Sequence, residues 1–409
     1  MAMGKLFVLL FVWHCLISAH YYHCVCARIQ TTSKEEKDGF GDEIDEQLQN
    51  LNNPEIKKTF QTKEGVKVDC IDIHKQPSMD HHLLKNHVIQ MNPSSRPKQL
   101  SSKSFSLEST SRGSWGDVNF GYLCPKGTVP IRRTTKEDQI RANSLLNTNI
   151  YHPNTDVIEP PGQHVAVRHS FNFTSPYPPI FFRGLQGEIK VDNPVVQKDQ
   201  ISASVLWVEG GPKDVFSTIQ AGWMVAPTIF GDSHTHLSIY WRNGPDQGNC
   251  VNMYCKGFIQ TSDQVPIGEV LSAISEYGGK QYSFIGLLFQ DPDTRNWWFS
   301  ITANNVTFDI GYIPHELVPY LDPASYIAWG GLVKSPPNTP SPQMGNGHFP
   351  DGDFDTASSI WDHMFVDLSH NLKTTERYFF GTRYDSEDCY TVEEDSNTSI
   401  LFGGPGGNC

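Results

Sequence analysis

The chain has 409 residues, 38% of them hydrophobic, so it carries enough apolar side chain for a sizeable core, and 33 glycines with 27 prolines call for many turns. A formal net charge of −13 excludes the broad basic surfaces that nucleic acid or an anionic membrane would need. The acidity is read as solubility.

Lys5 precedes the apolar run "LFVLLFVWHCLI", which is too short to span a bilayer. With Val25 and Ala27 as small residues at the exit, it predicts a signal peptide over 1–27, cleaved after Ala27, and hence a secreted protein of the extracellular space or cell wall. No later segment is apolar enough to cross a membrane. "DEIDEQLQNL" (42–51) places Ile44, Leu48 and Leu51 on one side of a short amphipathic helix. "KEGVKVDCIDI" (63–73) alternates like a hairpin strand, and "DHHLLKNHVIQM" (80–91) reads as extended or helical. Residues 92–119 have the Ser, Lys, Arg and Gly content of a linker. A strand and a helix-like piece follow within 122–142, and 147–163 is a second loop. Residues 28–155 thus read as a small α+β N-terminal domain.

Residues 156–409 differ. Short runs such as "HVAVRHSF", "ISASVLWVEG", "NWWFSITANNVTFDIGYI" and "ASSIWDHMFVDL" recur with turn signals between them. In "HLSIYW", Leu237, Ile239 and Trp241 fall on one face and His236, Ser238 and Tyr240 on the other. The expected fold is mainly β, an antiparallel β-sandwich of two packed sheets.

Removing the leader takes away Cys15, Cys24 and Cys26 and leaves six of nine cysteines: Cys70, Cys124, Cys250, Cys255, Cys389 and Cys409. An even count in a secreted chain implies three disulfides, with 15 pairings open and Cys250–Cys255 close enough for a local clip. Zinc is the alternative, but no second close Cys/His pair accompanies that one. Asn172, Asn305 and Asn397 stand in glycosylation sequons.

No Gly-x-Ser-x-Gly elbow, His-Glu-x-x-His or phosphate loop is present, and paired cysteines leave no thiol nucleophile. His234 and His236, after Asp232, share one face of an extended strand, but no third ligand is near, so neither a metal nor another cofactor is expected. Among many tryptophans, Trp223 and Trp329 are expected to line a groove, with His348 and Phe349 of the Gly-rich loop "GNGHFPDG" (345–352) beside it. Gln220, in "STIQAGWMVAP", is a lone amide in a strand: a binding contact, or the remnant of something more reactive.

The stretch "DCIDIHKQPSMDHHLLKNHVIQMNPSS" resembles the activation-peptide segment of the neprosin family of plant secreted proteins. In order and spacing, "AGWMV", "GDSHTHLSIYW", "YGGKQY", "DPDTRNWW", "GYIP", "WGG" and "QMGNGHFP" resemble that family's catalytic domain. The resemblance implies a glutamic peptidase made as a proenzyme, cutting next to proline in acid, with pairings Cys70–Cys124, Cys250–Cys255 and Cys389–Cys409. Its mechanism requires two carboxyl side chains, one activating water and one protonating the leaving amine. One family glutamate directly precedes Ala-Gly-Trp, and here that place is Gln220; the other follows Trp-Gly-Gly, and here it is Leu332. A further family glutamate before that Trp is Ala328. The expectation is a largely inactive protein that binds proline-containing polypeptides. The alternative is an active peptidase with a relocated carboxylate, drawn from Glu209, Asp232 or Glu269.

Overall fold

The structure is a computed structural model, describing residues 55–63, 65–99, 124–140, 161–171, 179–212, 215–243, 249–396 and 398–409. The leader, the 42–51 helix and the junction at 155 lie outside the described residues. In chain order the strands are β1 (Ile56–Gln61), β2 (Lys67–Asp72), β3 (Lys98–Gln99), β4 (Thr128–Arg132), β5 (Gln163–Ser170), β6 (Gly184–Lys190), β7 (Ile201–Gly210), β8 (Ser217–Val225), β9 (His236–Asn243), β10 (Asn249–Val251), β11 (Ile259–Gln260), β12 (Ser283–Gln290), β13 (Trp297–Ala303), β14 (Val306–Ile313), β15 (Tyr326–Lys334), β16 (Ser358–Val366), β17 (Asn371–Thr374), β18 (Phe380–Tyr384), β19 (Thr391–Ser396) and β20 (Ser399–Gly403). A one-turn helix, α1 (Pro227–Phe230), starts on proline and ends on Gly231 at φ 85°, the left-handed cap glycine adopts without strain.

These strands build the expected sandwich. One sheet has seven strands in the order β10-β9-β8-β7-β15-β5-β18. The other runs β11-β14-β13-β12-β6-β16-β17-β3, with β20 and β19 attached beside β16. The alternation read in β9 sets the layers. Leu237, Ile239 and Trp241 enter the core between the sheets, with Ile219, Ala221 and Trp223 of β8 and Leu206 and Val208 of β7. The opposite face is not the polar surface that alternation suggested. His236 and Tyr240 are buried there, and a second apolar cluster covers it, including Phe230 of α1, Met224 and Tyr254. Hence β7 and β8, buried on both faces, read as near-continuous apolar runs.

The N-terminal region carries strands where the sequence placed them, β2 within 63–73 and β4 within 122–142, and residues 136–140 are helical, as the helix-like piece expected there requires. Its described part is a three-stranded sheet, β1-β2-β4, with short 3-10 turns such as His82–Leu84 inside the 80–91 stretch. Among the described residues its apolar side chains Ile71, Ile73, Leu84, Ile89, Val129 and Ile131 belong to the same continuous apolar cluster as the sandwich core, and residues 51–409 form one compact unit. The start of the expected linker is also structured, since β3 pairs in parallel with β17. All three disulfides form as the resemblance implied: Cys70–Cys124, Cys250–Cys255 and Cys389–Cys409.

Candidate functional site

The outer face of the seven-stranded sheet gathers the residues in question, and strand register fixes their places. Residues opposite one another on neighbouring strands share a face. One row across the sheet is Tyr240, Gln220, Trp207, Ala328 and His169. The row above is Arg242, Thr218, Glu209 and Tyr326. Four residues further along the strands, Met224, Ala203 and Leu332 stand level.

Gln220 and Leu332 therefore share a face without opposing each other. Gln220 is level with Ala328; two strand spacings of about 4.8 Å put those Cα atoms roughly 10 Å apart. Leu332 is displaced a further ~13 Å along the strand, at ~3.3 Å per residue. Of Ala328 and Leu332 on β15, Ala328 occupies the place from which a carboxyl would face Gln220.

Gln220 is 2% exposed, and its Nε2 has no hydrogen-bond partner among the described residues. A buried amide N–H without an acceptor is costly unless a ligand supplies one. Beside it, the Trp207 indole N–H donates to Thr218 Oγ1 at 2.9 Å, and Tyr240 donates its hydroxyl to Asn249 Oδ1 at 2.8 Å. Burial, outweighing the nearby Arg242 guanidinium, pushes the Tyr240 phenol upward, so it stays a donor.

The three alternative carboxylates separate cleanly. Glu209 is buried one pleat from both Gln220 and Ala328, on the same face. Asp232 lies past α1, where its Oδ1 is 2.9 Å from His236 Nε2. Burial alone would raise its carboxyl, but the His236 ring and the His234 N–H outweigh that and hold it below the usual range. Glu269 sits on the loop whose backbone carbonyl accepts from Leu237 N. Neither belongs to the Gln220 rows. His234 is exposed and precedes β9, whereas His236 is buried with Nδ1 on Gly268 O at 2.9 Å, so the two do not share a strand face. No cluster of three metal-ligating side chains occurs among the described residues.

The expected groove residues are elsewhere. Trp223 and Trp329 are wholly buried between the sheets, donating to Lys190 O and Gln186 O at 2.7 and 2.8 Å. Odd and even positions of a strand exchange faces, and both tryptophans have the parity of the core. His348 and Phe349 are exposed on a loop where the His348 ring packs on Tyr277, 4.2 Å between centroids, beside the other sheet. The aromatic side chains that the sheet itself places beside Gln220 include Trp207, Tyr240 and Tyr326.

Sequence reasoning missed His169 and Lys334, both on this face. Alternation in "HVAVRHSF" signals the first, which shares parity with the apolar Val165 and Val167. Burial lowers Lys334 to about 8 and His169 to about 4. His169 is therefore neutral when folded and protonates near 6.5 when unfolded. Above that pH it contributes nothing; as pH falls through 6.5 the unfolded chain gains protons that the folded one refuses, and stability is lost until about pH 4. Denaturant unfolding at pH 7 and pH 4 is expected to show a loss on the order of 3 kcal/mol smaller in His169→Phe than in wild type, at ~1.4 kcal/mol per unit. An unchanged pH slope in the variant contradicts this.

Two family models match the chain: one described as Neprosin over residues 198–405 and one described as Neprosin activation peptide over residues 59–173. Among solved structures, it is similar to the crystal structure of scytalido-glutamic peptidase with a transition state analog inhibitor. The identity is 9% and the TM-score 0.30, over 59% of this chain and 97% of that one.

Proposed function

The chain belongs to the neprosin family, and from that premise we propose that it is a secreted glutamic-peptidase scaffold that binds proline-containing polypeptides on the Gln220 face with hydrolysis lost or strongly impaired. The observation that carries this reading is the chemistry of that face. Gln220 can donate to a carbonyl or an oxyanion but cannot take a proton from water, and Ala328 and Leu332 can do neither. Loss of a general acid–base group removes about 10²–10⁴ in rate, and loss of an oxyanion donor about 10²–10³ more. The unpartnered Gln220 amide supports the reading with a donor for a peptide carbonyl, and the Trp207 and Tyr240 rings beside it, each 1% exposed, become flat apolar surface for proline rings once the cover of that face opens.

Secretion, with residues 1–27 as leader, 28–155 as the activation-peptide region and 156–409 as the catalytic-type domain, is part of the same reading. Three disulfides support an oxidising compartment. Asn305 lies exposed in the β13–β14 turn, as a glycosylated residue would; Asn172 and Asn397 lie outside the described residues.

One observation favours a second reading. Glu209 is the single alternative carboxylate on the Gln220 face, and a Glu–Gln pair contains one group able to activate water and one able to steady an oxyanion. The test incubates purified protein with a proline-rich peptide in acid and follows both binding and cleavage. Binding without turnover above a blank is expected. Turnover in wild type that vanishes in Glu209→Gln replaces the proposal with the second reading, and absence of both binding and turnover removes each.

A further inference from the structure

Two motifs remain unused by the peptide face: "HVIQMNPSSR" in the N-terminal segment and "DPDTRNWW" before β13. The structure joins them. Gly286 of β12 faces Leu206 across the core, so Leu288 and its partner Phe299 face inward. Phe289, Trp298 and Tyr312, paired in register on β12, β13 and β14, have the opposite parity and point outward. Yet all three have zero exposure. Phe289 packs edge-on against His370, and over Trp298 and Tyr312 lies the segment 76–99. The His87 Nε2 lies 2.9 Å from the Tyr312 hydroxyl, and Gln90 N donates to the same oxygen at 2.9 Å.

Gln90 is the centre of the contact. Its Oε1 accepts from Thr294 Oγ1 at 2.8 Å, Asn296 Nδ2 at 3.0 Å and Trp298 Nε1 at 3.1 Å, while its Nε2 donates to Asp291 Oδ2 at 3.0 Å. Ser94 adds its N–H, 2.6 Å from Asp291 Oδ2, and its hydroxyl, 2.8 Å from Oδ1. Arg96 grips both oxygens of Asp309 at 2.6 and 2.7 Å, and Lys98 N reaches His370 O at 3.0 Å. Upstream, Gln76 exchanges amide bonds with the Gln260 backbone at 2.8 and 3.2 Å. These groups satisfy one another, and stripping the segment away would leave the Trp298 indole N–H and the Tyr312 hydroxyl without these partners and open both rings to water.

We infer that segment 76–99 is a permanently bound element, so that a cut anywhere within 141–160 leaves the N-terminal fragment held on the outer sheet as a noncovalent subunit instead of releasing it. The partner is this chain's own fragment, recognised by an amide–carboxylate cluster and an aromatic floor. The inference is independent of whether the Gln220 face hydrolyses peptides. Asp291 also suits an acid setting: burial would raise its carboxyl, but the Thr294 and Ser94 N–H groups outweigh that and keep it ionised below the usual range.

No covalent bond spans such a cut. Cys70–Cys124 lies wholly before it, and Cys250–Cys255 and Cys389–Cys409 wholly after it. The experiment places a site-specific protease sequence within 147–155 of the full chain, cleaves it, and runs non-reducing size exclusion with intact mass detection at acid and neutral pH. Co-elution of both fragments is expected, with amide exchange over 297–303 as slow as in the uncut protein. Arg96→Ala, which removes a half-exposed contact, is expected to speed fragment loss at least tenfold, and Gln90→Ala further where it folds. Release of the wild-type fragment from a body that stays soluble and folded overturns the inference. So does an Arg96→Ala protein that keeps its fragment as long as wild type does while exchange over 297–303 is unprotected.

Discussion

Gln220→Glu combined with Ala328→Glu is expected to gain acid peptidase activity, whereas Gln220→Glu combined with Leu332→Glu is expected to gain little. Register carries the argument. Positions 220 and 328 are level across the single intervening strand β7, on a face where both are buried. Two carboxyls so placed share a proton in acid, one ionised to draw on water and one protonated to donate to the leaving amine. A carboxyl at 332 enters the row of Ala203 and Met224 instead, roughly 16 Å from Gln220 by strand geometry, too far to work on the same bond. Restoring a general acid–base pair is worth about 10²–10⁴ in rate, so turnover of a proline-rich peptide that is undetectable in wild type comes within reach of a mass-spectrometric assay. Equal gains from the 328 and 332 variants would show that the sheet does not hold these residues in the register described. A gain from the 332 variant alone would assign the family's second glutamate to that place.

How far the sequence reaches is visible in β9 and β15. Period-two alternation located both faces of β9 correctly, because a strand packed on one side must separate its apolar and polar residues. It could not tell that the second face is also buried, since that depends on α1 and Tyr254, which lie apart from β9 in the chain. The tryptophans show the same limit. Trp207 and Trp329 are equally apolar, and only their parity relative to paired strands sends one to the Gln220 face and the other between the sheets. Disulfide pairing was legible from family motifs, not from counting, since six cysteines permit 15 arrangements. The N-terminal segment read as a separate domain because composition changes near 160, but composition does not report that Leu84 and Ile89 complete a core built from residues far downstream. Candidate chemistry was legible as residue types. Whether two such residues face each other is a property of register, which a single strand sequence does not carry.

Trp329→Ala decides between the two roles that the sequence allowed for this residue. As a groove residue it would cost ligand affinity and little stability. The structure puts it wholly buried between the sheets, with its ring 5.3 Å from His363 and 5.8 Å from Phe380 and its indole N–H 2.8 Å from Gln186 O. Truncation there leaves a cavity that β7, β6 and β16 are too tightly paired to close: a methyl group added at Gly187 would already meet Ile360 Cγ2 at 2.6 Å. Aromatic-to-alanine changes of this kind cost about 3–5 kcal/mol. A typical domain has only about 5–15 kcal/mol of stability in total. The Gln186 carbonyl, left without its donor, adds to the cost. The variant is therefore expected to unfold at much lower denaturant with an unchanged dependence on its concentration, and whatever stays folded is expected to bind a proline-rich peptide as wild type does. Trp207→Ala, in a ring 1% exposed whose indole N–H donates to Thr218 Oγ1, should cost stability on the same scale of about 3–5 kcal/mol and, unlike Trp329→Ala, should also weaken peptide binding by what stays folded, because that ring stands on the Gln220 face. A Trp329→Ala protein of near wild-type stability with lost peptide binding would return Trp329 to the groove and take the peptide face away from Gln220.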